Sequence, residues 1–235
     1  MTCQQVLSEL QQLGEEKIKQ IFINHGAKEP LYGVKVENLK KIQKKIKKNY
    51  ELSLELYNTG ISDAQYLAGL IADETKMTKK DLKYWADKAT WYMLSEYTVP
   101  WIAAESSHGY PLALQWIDAK EEHLQVAGWS TLASLVAIKP DDALDIAELK
   151  KLIIRVKKEI HTAHNRTRYA MNSFLISVGC YVKELTDIAE QAGREIGKLT
   201  VNMGNTSCKV PFAPNYIQKV KNKGTIGKKR KMARC

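Results

Sequence analysis

ELKKLIIRVKKEI, residues 148–160, decides the fold. Its apolar residues Leu149, Leu152, Ile153, Val156 and Ile160 step by three and four, so they line one face of a helix and leave the lysines on the other. The pattern repeats in both directions. Ala170, Met171, Phe174, Val178 and Val182 make a second stripe, and Ile188, Ala189, Ala192 and Ile196 a third. Toward the N-terminus, Val6, Leu10 and Leu13, then Ile18, Ile21 and Phe22, step the same way until Gly26 and Pro30 close the pair. Residues 36–48 follow, with Val36, Leu39, Ile42 and Ile46 inward and six lysines outward. Short helices are expected over 52–57, 63–72 and 78–89, with Asp63 and Thr78 as N-caps. Two more fall over 112–119 and 123–138, before Pro140 and Asp141 break and recap the chain.

No segment alternates with the period of a strand. About twelve helices in antiparallel pairs, repeating every 35 to 45 residues or so, leave on each pair an apolar face that the next pair must cover. The expected fold is therefore all-α, a degenerate HEAT/ARM-like helical-repeat array (an α-α superhelix) with a concave surface. It spans residues 1–200, and 201–235 form a C-terminal extension.

Composition narrows the function. At 235 residues and 44% hydrophobic content the chain can bury a substantial core. It has no apolar run approaching the length of a membrane span, and MTCQQVLSELQQLGEE is polar and acidic where a signal peptide is basic and then apolar. A cytoplasmic monomer away from membranes is expected. Cys3, Cys180, Cys208 and Cys235 show no CxxC spacing and read as free thiols. His161 and His164 share a helix face but have no third ligand at metal-binding distance in sequence, so neither a metal nor a cofactor is expected. Gly-rich phosphate loops, GxSxG, HExxH and Cys/His nucleophile signatures are all lacking, which removes most nucleotide-using and hydrolytic classes.

Charge is distributed unevenly. Of 36 Lys and Arg residues, ten follow Ile196, where no acidic residue occurs, so all of the net +10 sits in the last 40 residues. Lys219, Lys221, Lys228, Lys229, Arg230 and Lys231 are accordingly candidate phosphate contacts. Arg166 and Arg168, in HTAHNRTRYAMN at a helix start, are two more, with inter-repeat ion pairs as the competing role.

TWYMLSEYTVPWIAAE, residues 90–105, concentrates aromatic rings and carboxylates around Pro100. On a helix, Tyr92 and Glu96 share a face with Trp91 on the neighbouring stripe, and Pro100 ends or kinks that helix. A carboxylate beside flat rings suits a site that holds a sugar or base next to a positive charge. Core aromatics with a solvated glutamate are the plainer alternative.

Together with Trp116-Ile117, LQVAGW and RYAMNSFLISVG, this segment resembles the DNA alkylation repair family of HEAT-like-repeat alkylpurine DNA glycosylases over most of residues 15–195. Competent members carry Trp-Trp-Asp-x-x-Asp before Val-Pro. Laid through Val99-Pro100, the resemblance places the tryptophans on Trp91 and Tyr92 and the essential aspartate on Glu96. It also places Met93, Val126 and Ser173 where the family has an aspartate, an arginine and a tryptophan. It implies catalytic roles for Glu96, Tyr92 and Trp91. A cationic N3- or N7-alkylpurine needs no strong general acid, only stabilisation of an oxocarbenium-like sugar. A carboxylate about 4 Å away at an effective dielectric near 20 supplies on the order of 4 kcal/mol, roughly a thousandfold in rate.

Three functions stay open on these residues. The first is a glycosylase for cationic alkylpurines in double-stranded DNA, and the second a non-catalytic relative that binds branched or distorted duplex. The third is a protein-interaction scaffold.

Overall fold

The computed structural model describes residues 1–234. Its helices are α1 (Cys3–Gln12), α2 (Glu16–Asn24), α3 (Val36–Ile46), α4 (Tyr50–Asn58), α5 (Ser62–Ile71) and α6 (Lys79–Lys88). A π-helical turn, Leu94–Thr98, leads into α7 (Val99–Glu105), followed by α8 (Gly109–Trp116), α9 (Glu122–Ile138), α10 (Ile146–Glu159), α11 (Asn165–Tyr181), α12 (Thr186–Ile196) and α13 (Ala213–Asn222). Among the described residues the only β-pairing is one isolated bridge between Gly14 and Val34.

Several starts follow from the residues that precede them. Thr78 accepts from the Asp81 amide while the Asp81 carboxylate takes the Thr78 amide, a reciprocal cap for α6. Asp63 behaves differently from its expected capping role. It lies inside the first turn of α5, and its carboxylate accepts the amides of Tyr32 at 2.6 Å and Val34 at 2.8 Å. Asp63 is buried, and a buried carboxylate needs donors, which the preceding loop provides.

The helices form two layers. In the inner layer α5, α7, α9 and α11 lie side by side with the π turn between α5 and α9, and α4, α6, α8, α10 and α12 cover them from outside. Every residue of α5 is buried, whereas α10 buries only the stripe Leu149, Leu152, Ile153 and Val156. The two patterns mark an internal helix and a covering one. Close approach in the inner layer depends on small residues. A Cβ on Gly69 of α5 would lie 2.5 Å from Thr98 Cγ2 of the π turn.

After α12 the chain runs without regular structure to α13, which packs on α11 and α12 with Ile217 fully buried. It then crosses the C-terminal ends of all four inner helices in turn. The Gly227 amide donates to Cys180 O of α11, and Lys229 Nζ and the Arg230 amide donate to Val136 O and Ala137 O of α9. The Ala233 amide reaches the Glu105 carboxylate at the end of α7, and Arg234 donates to Leu70 O and Ala72 O at the end of α5. The last carbonyls of a helix have no partner within it and carry the negative end of its dipole. Amides and cations of the basic segment meet that need at α11, α9 and α5 and bind a side-chain carboxylate at the end of α7, as a strap across the array.

Candidate nucleic-acid interface

Pro100 shapes the centre of the molecule. It has no amide to close an α-turn, and its ring crowds the carbonyl four residues back, so the preceding turn widens and Val99 N bonds to Leu94 O, five residues away. Of the two roles open to Pro100, ending the helix or kinking it, the structure shows the second: the chain distorts into a π turn and passes through into α7. The widened turn carries Glu96 inward, where the residue is 8% exposed.

Glu96 meets Arg166 there. Arg166 Nε donates to Glu96 Oε1 at 2.7 Å and Nη2 to the same oxygen. The guanidinium lies 4.3 Å from the Tyr92 ring centre and 4.7 Å from that of Tyr169, so two rings and a carboxylate enclose it. Burial pushes the Glu96 carboxyl up to about 7, against the charge and hydrogen bond of Arg166, which pull it down. Tyr92 is raised to about 12, also by burial. Arg166 is held from behind by Glu122, whose carboxylate accepts its backbone amide at 2.6 Å. That amide, at the start of α11, is therefore used inside the fold and not left for a phosphate.

The other sequence candidates separate into two groups. Trp91 is a wall residue, its indole donating to His25 O at 3.2 Å and its ring 5.3 Å from Phe22. Tyr92 shares a hydrogen bond of 3.2 Å with His25 Nδ1. Arg168 is taken up by carbonyls of Ile160, His161, Ala163 and Thr200, which tie the end of α10 to the connection after α12. Lys221 bridges Asp187 and Glu190, Lys229 pairs with Asp141, and Arg230 donates to Arg234 O. Lys219, Lys228 and Lys231 are exposed and make no ion pair among the described residues, and Lys223 is like them. Cys235 lies outside the described residues. His161 contacts Ile196 O, and no cluster of three metal-ligating side chains forms among the described residues.

Tyr169 and Glu122 escaped sequence reading. Tyr169 had a usable signal, since it follows Arg166 by three and must share its helix face. Glu122 had none. A further feature is a cleft of about 650 Å³ between α9, α11 and α13, bounded by Glu96 and Tyr97 at one end and by Lys228 to Arg230 at another.

Stacked helix pairs around a buried inner layer, with a carboxylate and rings set into that layer, define a HEAT-like helical-repeat protein. Residues 6–189 match the family described as DNA alkylation repair enzyme, and the chain belongs to that family. It is 34% identical over 229 residues to the uncharacterized proteins Lin0241 of Listeria innocua and Lmo0209 of Listeria monocytogenes, covering 95% of this chain and 99% of each relative. A solved structure described as "A new family of proteins related to the HEAT-like repeat DNA glycosylases with affinity for branched DNA structures" superimposes with a TM-score of 0.91 at 39% identity, over 100% of both chains. No helix among the described residues is long and apolar enough to cross a membrane.

Proposed function

We propose that this protein binds branched or distorted DNA and does not excise bases. The observation that carries the reading is the position of Arg166. Excision of a cationic purine needs an unpaired carboxylate where the sugar acquires positive charge. Here the cage of Glu96, Tyr92 and Tyr169 already encloses a cation of the protein itself, with the carboxylate bonded to it. A sugar cation would have to displace a guanidinium that Glu122 anchors through its backbone. The affinity for branched DNA of the structural relative supports the same reading. Lys219, Lys223, Lys228 and Lys231 are exposed, make no ion pair among the described residues and are available to phosphates.

The test compares a four-way junction with a linear duplex of equal length by fluorescence anisotropy over a salt series, and measures free base from N3- and N7-methylated duplex. Tighter binding to the junction, a log–log salt slope that falls by about 1 in Lys228→Ala, and no released base are expected. Release of methylpurine, or equal affinity for the two DNAs, overturns the proposal.

A further inference from the structure

The cleft between α9, α11 and α13 has a composition that neither the buried ion pair nor the strap explains. Ser130 and Ser134 of α9 and Ser173 and Ser177 of α11 line it from its two helical walls, each pair one turn apart. None of these four side chains makes a hydrogen bond within the protein among the described residues. A helical serine commonly turns its hydroxyl back onto the carbonyl four residues earlier, as Thr131 does onto Ala127 at 2.7 Å. The serines do not. The hydroxyls of Tyr97, Tyr169 and Tyr216 in the same cleft are likewise without a protein partner. Hydroxyls that face a common space and bond to nothing in the fold are polar capacity left for something else.

Three other properties limit what that something is. The cleft is within the range of sites for small ligands, a few hundred Å³, and is too small for a paired helix. Its rings, Trp101 with Tyr97, Tyr169 and Tyr216, offer flat apolar surface. Lys223 and Lys228 stand at the wall made by α13 and the strap, exposed and free of carboxylate partners among the described residues. Flat rings, neutral donors and acceptors, and unpaired cations at one edge together match a base with a phosphate attached.

We propose that this cleft holds one unpaired nucleotide of a DNA strand, its base among the serine hydroxyls and aromatic rings and its phosphate on Lys223 and Lys228. The inference rests on the DNA-binding reading and deepens it. A branch point or distortion is where a duplex yields an unpaired nucleotide at the least cost in lost stacking and pairing.

Forked DNA with one single-stranded arm, the four-way junction with every base paired, and linear duplex are compared by anisotropy with the full chain, Ser173→Leu and Lys228→Glu. 5-Iododeoxyuridine is placed at the fork, at the crossover of the junction and at the matching position of the duplex for photocrosslinking. The wild type should prefer the fork over duplex by about tenfold and crosslink to Tyr97, Trp101, Tyr169 or Tyr216. Ser173→Leu, which fills the cleft, should lose that preference while still melting cooperatively, and surface Lys228→Glu should weaken it without touching the core. A fork preference that survives both substitutions, or crosslinks that map elsewhere, overturns the cleft assignment. If all three DNAs bind alike, the DNA-structure reading falls first. If the junction beats duplex but the fork does not, only the cleft falls. Competition by deoxynucleoside monophosphate with no fork preference assigns the cleft to a free nucleotide and overturns the strand.

Discussion

Burial governs Glu96 more than its partner does. With an ordinary carboxyl value of 4.5 raised to about 7, Glu96 favours the folded state when protonated. That contribution is complete below pH 4.5 and is lost as pH rises through 7, a change of about 3 kcal/mol. The difference in unfolding free energy between wild type and Glu96→Gln, followed by urea titration from pH 4.5 to 8, should track this loss. A pH-independent difference refutes it. Arg166→Gln removes the charge that holds the carboxyl down, so its ¹³C titration midpoint should move above 7; a midpoint that does not rise would mean that Arg166 is not what holds it down. Both residues stand out in the sequence, one by its aromatic neighbours and one by its place at a helix start. Their pairing does not, because 70 residues separate them and no spacing rule reaches across repeats.

Among the elements, the π turn depends on space that α5 leaves for it. Gly69→Ala would place a methyl carbon 2.5 Å from Thr98 Cγ2, with the atoms around both fully packed. The expected result is a loss of about 2 kcal/mol by chemical denaturation. An unchanged midpoint would show that the turn can shift. Helix periods and caps such as Thr78 were legible because they are local, set by residues within one or two turns. Asp63 has a familiar local role, capping a helix, that tertiary partners replaced, the amides of Tyr32 and Val34. For Pro100 the local rule left ending and kinking open, and packing of the π turn and α7 against α9 selects the kink.

At the scale of the whole molecule the basic C-terminal segment has two faces. Its excess charge was plain from composition, but composition could not show that Lys229 and Arg234 turn toward helix ends while Lys219, Lys223, Lys228 and Lys231 are exposed. Arg234 pairs with Glu74 at 2.9 Å, with the side chains only 10% and 12% exposed, so Arg234→Ala leaves a part-buried carboxylate with less compensation. A loss of about 3 kcal/mol is expected by urea denaturation. A stability loss below 1 kcal/mol would mean that Lys48, which also pairs with Glu74, suffices alone. The strap also gives the chain a direction in time. Because Arg234 closes onto Leu70, 164 residues earlier, the inner helices can stack during synthesis, but the end of α5 is tied only once residue 234 has left the ribosome. A nascent chain stalled before residue 227 would hold its inner helices stacked but unfastened at the same edge, and that edge is where chaperones or proteases would first engage it.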